Sequence, residues 1–322
     1  MILKALTALA APAGKNSRLS VFYFHRVLMR PDPLLPSEPD AKTFDQILRW
    51  IAGQFQVLDA LQACERLAAG TLPARPAVIS FDDGYLDNHD VALPLLREHG
   101  LPAVFFVATG FLDGAMMFND RVIEAIRRAP SSPLTLPALA QSLPGPLPLG
   151  SDADRRSAIG KILRAIKHLE PGLRDERIRE LEAAVGGQPA RGPMMRPEQV
   201  KALRAAGMQV GGHTRLHPIL CATSDENAEQ EIAGGLDDLS SILGERPLLF
   251  AYPNGKPGSD YDARHVAMVE RAGCRFAFST RPGAGRQTTP RLEIPRFTPW
   301  DRSALRFKFR ALQNLMTDRS VS

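Results

Sequence analysis

Val78-Ile79-Ser80-Phe81-Asp82-Asp83-Gly84 runs from strand-forming residues straight into two adjacent carboxylates, and its glycine then lets the chain turn. Alternation along a strand sends neighbouring side chains to opposite faces, but at the end of a strand both aspartates can swing toward one pocket. Two carboxylates placed there can divide the work, one holding a cation and the other moving protons. Asp-Asp-Gly is also ordinary turn chemistry, so the reading depends on what lies elsewhere. A second cluster far downstream, His213-Thr214-Arg215-Leu216-His217, supplies it.

Outward from this stretch, strand and helix patterns alternate. Val21 to Phe24 reads as a buried strand ending at His25, and Phe44 to Phe55 has helical spacing. Gln56 to Leu58 returns as a strand, and Asp59 caps a helix that Gly70 closes. A helix over Asn88 to His99 follows the Asp-Asp-Gly turn, with Asp87 and Asn88 read as its caps, and Ala103 to Val107 is the next strand. From Gly114 to Pro193 no strand pattern is found. That passage is proline-rich and carries two helical segments, Ser151 to Leu169 and Leu173 to Val185, and it reads as a helical insertion or lid. Alternation resumes with a helix over Pro197 to Ala206 and a strand from Met208 that ends at His213. A helix over Asp225 to Leu243 is weakened by Gly234-Gly235. Leu248 to Tyr252, Cys274 to Ser279 and Arg291 to Pro295 are strands, and Tyr261 to Ala272 is a helix. Repeated βα units imply parallel strands with helices outside. Seven or eight strands suit a barrel or an open sheet. His25, Asp82, His213 and Tyr252 all end strands, where a βα barrel gathers its chemistry, so a distorted (β/α) barrel is expected. The expected divisions are an N-terminal extension (1–19), the barrel (20–300) with its insertion (114–193), and a basic amphipathic tail (301–322).

A chain of 322 residues can bury a large core, and a hydrophobic share of 44% with 23% charged is that of a globular protein. Forty basic against 35 acidic residues give +5, mildly basic, but no Lys/Arg stripe interleaved with aromatics points to nucleic acid. Cys64, Cys221 and Cys274 form neither a disulfide framework nor a Cys-x-x-Cys pair. The longest uncharged stretch, Ala129 to Ser151, contains six prolines and cannot form a spanning helix. The short apolar run Ala5 to Ala11 lacks the form of a secretory signal. The expectation is a cytoplasmic or membrane-peripheral protein rather than a secreted one. From Arg296 to Ser322, six Lys/Arg against two Asp accompany Leu305, Phe309, Leu312 and Met316 on one helical face, a face for docking on the barrel or on an anionic membrane.

His213 and His217 have the His-x3-His spacing that zinc sites use, and a catalytic site wants a third protein ligand and an open position. Asp83 or Cys221 can be that ligand. Asp83 is favoured, because Pro218 interrupts the helix that would line up Cys221. Ser80 to Gly84 and His213 to His217 closely resemble the first two motifs of the polysaccharide deacetylases, the NodB-type carbohydrate esterases of family 4. Phe250-Ala251-Tyr252-Pro253-Asn254-Gly255 looks like the third motif of the branch that includes poly-N-acetylglucosamine deacetylases. The resemblance covers Ser20 to Thr298 apart from the insertion.

What it implies is a metal-dependent hydrolase that removes N-acetyl groups from a polysaccharide or glycan intermediate. Asp82 would be the general base. Asp83, His213 and His217 would hold one divalent ion, zinc first, with cobalt or nickel as alternatives. The Tyr252 N–H would bind the oxyanion beside Pro253. The family's third-motif arginine and late Leu-x-His are absent here. His25 is the natural replacement for the acid histidine, resembling the branch in which that residue has moved to the beginning of the chain. Arg296, grouped with the oxyanion and substrate-binding residues, could supply the missing charge beside Asp82 or instead form a surface ion pair. Two rivals stand beside this reading: an amide or ester hydrolase of a small non-sugar molecule, and a silent glycan-binding homologue.

Overall fold

The structure, a computed structural model, describes residues 2–187, 192–299 and 301–317. Met1, part of the expected insertion (188–191), Trp300 and the end of the expected tail (318–322) lie outside the described residues. The chain forms two compact units, one of Met1–Arg30, Ser37–Asp113 and Met195–Ser322, the other of Pro31–Pro36 and Gly114–Met194.

The first unit is built on a seven-stranded sheet: β1 (Ser20–Phe24), β2 (Gln56–Val57), β3 (Pro76–Phe81), β4 (Val104–Val107), β5 (Gln209–Gly212), β6 (Leu249–Ala251) and β7 (Phe276–Phe278). The order is β1-β3-β4-β5-β6-β7, with β2 beside the first two residues of β3, and every pairing is parallel. Its two edges are joined by one segment, in which Ile294 bridges Phe278 and Phe297 bridges Phe22. The backbone bonds of that segment (Ile294 N to Ala277 O at 2.9 Å, Phe297 N to Val21 O at 2.7 Å) curl the sheet into a distorted (β/α) barrel. The expected strand over Arg291 to Pro295 is thus displaced toward Phe297, because it must reach β1 as well as β7.

Helices account for most of the rest: α1 (Ile2–Ala10), α2 (Ala41–Gln54), α3 (Ala60–Ala69), α4 (Leu93–Glu98), α5 (Phe118–Arg128), α6 (Asp152–Ile166), α7 (Pro171–Ala184), α8 (Pro197–Ala205), α9 (Asp225–Leu243), α10 (Ala263–Arg271) and α11 (Ala304–Met316). Caps set several of their limits. Asp40 accepts from Thr43 N at the start of α2, Asp59 accepts from Gln62 N at the start of α3, and Gly70 ends α3 in a left-handed conformation. Among the described residues no helix is long and apolar enough to cross a membrane.

Buried side chains of the strands alternate between two cores. Leu19, Val21, Val78, Val104, Phe106, Leu249, Ala251 and Phe278 fill the barrel interior with Ile294. Phe22, Phe24, Ile79, Phe81, Phe105 and Val107 face outward, against Phe44, Leu48 and Ile51 of α2 and Val200 and Leu203 of α8. Phe81 stacks on Phe105 with centroids 4.7 Å apart, a contact worth about 0.5–1.5 kcal/mol beyond its area.

The second unit has its own core, in which Val122 and Ile126 of α5 meet Ile159 and Ile162 of α6 and Ile178 and Leu181 of α7. A capping box of Ser151 and Asp154 starts α6 as its sequence implies. α5 escaped the sequence reading. Val122, Ile123, Ala125 and Ile126 form its buried face, and Arg121, half-buried, is anchored by Glu182 and Asp175.

Three further differences have physical reasons. Asp87 and Asn88 make no helix cap, and the chain there takes a π-helical turn over Asn88–Ala92 before α4. α11 buries Phe307, Ala311 and Leu315, not the face expected to dock; Phe307 packs on Phe22 and Trp50, while Leu305, Phe309 and Met316 stay exposed. α9 runs unbroken through Gly234-Gly235. A Cβ on Gly235 would sit 2.8 Å from the carbonyl carbon and oxygen of Thr214, so the bare backbone lets the helix press against the loop that carries the two histidines. Gly235→Ala is therefore expected to destabilise the protein by about 1–3 kcal/mol in denaturant titration. Gly53→Ala, where nothing lies within 4 Å, is the control and should not destabilise. A Gly235→Ala midpoint equal to wild type would contradict this packing.

Candidate active site

Strand alternation carries the interior face up to the chemistry. Val78 and Ser80 point inward, so Asp82, the next residue in that series, does too. Tyr23 and His25 continue the series begun by Leu19 and Val21, and their rings meet edge to face with centroids 5.7 Å apart. Arg296 follows Ile294 in the same way. Its Nη1 donates to Asp82 Oδ1 at 2.7 Å and its Nη2 to Oδ2 at 2.8 Å, while Nε donates to Ser279 O at 3.0 Å. Both partners are out of water, Arg296 at 1% and Asp82 at 2% exposure. Burial alone would push the Asp82 carboxyl up, but Arg296 and then His213 pull harder and leave it below the ordinary carboxylate range.

Asp83 leaves the strand pattern by adopting φ +79°, with Thr214 at +63° and His217 at +53°. Such conformations are unfavourable for residues with a side chain, most of all for β-branched Thr, and they persist only where the surroundings impose them. Here they gather one group. Asp83 Oδ1 lies 3.4 Å from His213 Nε2 and 3.4 Å from His217 Nε2, and ligand atoms of all three residues lie within 4.8 Å of one another. His213 Nδ1 donates to Ala251 O at 2.6 Å, which fixes the proton on that nitrogen and leaves the Nε2 lone pair toward Asp83. Burial lowers His217 to about 4, so its ring is neutral near neutral pH. For His213, burial is outweighed by Asp83 and Asp82, and its net direction is up. Asp83 Oδ1 is buried without a hydrogen-bond partner. An orphaned anionic oxygen between two imidazole nitrogens is a donor set that fits a divalent cation. Asp83, His213 and His217 can hold a metal ion.

The Tyr252 N–H, expected from the sequence to bind an oxyanion, donates to Phe278 O at 3.2 Å, because the ladder between β6 and β7 extends one residue further. The Tyr252 ring faces the outer layer and stacks on Tyr261 at 3.8 Å, and Pro253 beside it is buried. Arg296 is the partner of Asp82, and its Nη1, Nη2 and Nε all donate within the protein. Cys221 stands apart from Asp83, in a second group with Asp262 and His265.

Three supports went unrecognised in the sequence. Asp87 accepts from Arg26 Nε at 2.8 Å and Val27 N at 3.1 Å, and Asn88 Nδ2 donates to His25 O at 2.8 Å, so these two residues moor the His25 loop to the end of β3. Glu38 takes the Arg26 N–H. Burial raises its carboxyl, opposed first by the nearby charge of His25. Glu231 of α9 accepts from the amides of Arg215 and Leu216 at 3.0 and 2.7 Å and so holds the histidine loop. Nothing local in Ser37-Glu38-Pro39 or in the polar face of α9 signals these roles. Only the Asp87-Asn88 pair, directly after the aspartates, gave a hint.

The family model for polysaccharide deacetylase matches residues 69–137 and 163–277. The chain belongs to the polysaccharide deacetylase family, and it is a hydrolase of that family. YxkH of Bacillus subtilis (strain 168), a protein named for the same family, is 28% identical over 272 residues, which are 84% of this chain and 67% of that one. The fold is shared with the Streptococcus pyogenes deacetylase PplD, solved in complex with acetate (TM-score 0.60, 17% identity, 92% of this chain and 98% of that one). It is shared equally with IcaB from Ammonifex degensii (TM-score 0.59, 19% identity, 92% and 98%).

Metal content separates the two candidate groups. Cys221→Ala should retain one divalent ion per chain, and Asp83→Ala should lose it. A loaded Asp83→Ala protein, or loss of metal in Cys221→Ala, would move the site.

Proposed function

We propose that this protein removes N-acetyl groups from a polysaccharide or glycan intermediate by hydrolysis at the Asp82–Asp83–His213–His217 site. The observation that carries the reading is the pairing of two adjacent aspartates with different partners, Asp82 on a buried guanidinium and Asp83 on two imidazoles. A divalent cation, zinc in this reading, held by Asp83, His213 and His217 would acidify a water molecule and polarise the acetamide carbonyl.

The residues of the chain do the rest. Asp82 accepts a proton from the attacking water. Two of its lone-pair directions remain open beside the two used by Arg296, so the pair fixes the carboxylate without blocking it. Its lowered pKa keeps it ionised above the ordinary carboxylate range, and Arg296 holds it in place. Water oxygen bonds to the carbonyl carbon, the C–N bond breaks, and the departing nitrogen must receive a proton, because an amide anion is a very poor leaving group. His25 gives that proton. Its backbone is moored by Asn88 and its ring is steadied by Tyr23. Acetate and a free amine result.

Asp82→Asn should keep metal and lose most turnover, since an amide preserves size but accepts no proton. His25→Ala should lose roughly two to four orders of magnitude on an N-acetyl sugar and much less on an activated aryl acetate, whose leaving group departs unprotonated. Acetate release from N-acetylated oligosaccharides measures both. Near-normal turnover by Asp82→Asn, or equal losses on both substrates in His25→Ala, would refute the roles assigned.

A further inference from the structure

A cavity of about 350 Å³ opens beside the catalytic pair, and three of its ten lining residues come from the C-terminal helix α11. Tyr23, Thr280 and Arg296 line it from the barrel, and Arg310, Gln313 and Asn314 line it from α11. The volume lies within the roughly 300–1,000 Å³ typical of ligand sites. We propose that this cavity is a saccharide subsite, holding a neutral sugar ring of the same glycan next to the residue that loses its acetyl group; the proposal rests on the de-N-acetylase reading.

The wall chemistry argues for a neutral ring over an anion. Both guanidiniums are already matched, Arg296 by Asp82 and Arg310 by Asp301 at 2.8 Å, so the lining offers no unbalanced positive charge. What remains is an aromatic ring, hydroxyls and carboxamides, the mixture that suits a polyhydroxylated ring with one apolar face. The wall is also held in place. Asn314 Nδ2 donates to Gly283 O at 2.9 Å and ties α11 to the loop after β7, while Thr280 Oγ1 donates to Asn254 O at 2.7 Å and ties that loop to the turn after β6. A site whose supports are fixed in this way loses little entropy on binding.

Continuity with the chemistry comes through Tyr23 and Arg296. The Arg296 guanidinium lies 4.6 Å from the Tyr23 ring centre, and the same ring meets His25. A ring seated in the cavity therefore borders two residues that touch the proposed base and acid. Gln313, exposed on α11, marks the wall where a substitution can fill the cavity without disturbing the core.

The test titrates a tetrasaccharide of N-acetylglucosamine, and the monosaccharide, into the zinc-loaded full chain, with acetate assayed in the same samples. Tetrasaccharide affinity should weaken at least tenfold in Gln313→Trp and about threefold in Gln313→Ala, with the monosaccharide binding all three proteins alike. Equal tetrasaccharide affinity in the three proteins, no tetrasaccharide binding by wild type, or a monosaccharide affinity that falls just as far would overturn the subsite. Binding that depends on Gln313 with no acetate released would leave the subsite standing and remove the hydrolase reading instead.

Discussion

Two guanidinium nitrogens of Arg296 and two carboxylate oxygens of Asp82, all withdrawn from water, join the segment that closes the barrel to the end of β3. Burying either charge alone would be costly, and removing one partner from such a pair typically costs about 3–5 kcal/mol because the other is left uncompensated. The pair therefore ties closure of the barrel to the placement of Asp82, the proposed base. Arg296 can reach Asp82 only if Ile294 and Phe297 have bridged β7 and β1, and Asp82 is held at a fixed angle only if Arg296 arrives. Because the carboxyl titrates lower in the fold than in the unfolded chain, its contribution to stability is present above the ordinary carboxylate range and fades as pH falls through the folded value.

The histidine side of the site depends on backbone held in unfavourable conformations. Thr214 and His217 occupy the left-handed region, where each residue costs on the order of 1–3 kcal/mol, and α9 supplies the restraint. Glu231 binds the loop amides, Gly235 allows the helix to lie against Thr214, and Asp238 holds Arg215. The loop after β5 is thus shaped by a helix that contributes nothing to the chemistry itself.

Much of this was legible in the sequence because it is local. The strand run before Asp82, the His-x3-His spacing and the caps at Asp59 and Ser151 each involve residues a few positions apart. Arg296 as the partner of Asp82 could be read only as one of two options, since the residues are far apart in sequence and meet only through barrel closure. The supports at Glu38, Asp87 and Glu231 were missed for the same reason: a carboxylate that accepts loop amides looks like any surface acid until the fold brings it there. The bond from the Tyr252 N–H to Phe278 O was not legible, because a strand end seen in sequence does not tell how far its ladder runs. Gly234-Gly235 looked like a weakness in α9 and is instead the clearance that lets the helix touch the loop.

The central claim is that a cation held by Asp83, His213 and His217 drives hydrolysis of an N-acetyl group with Asp82 as base. The most direct measurement follows acetate and free amine from an N-acetylglucosamine oligomer with chelator-treated protein, before and after one equivalent of zinc. The account predicts no release before the metal is restored, and equal amounts of acetate and amine afterwards. Release that persists through chelation, or acetate without matching amine, would contradict it.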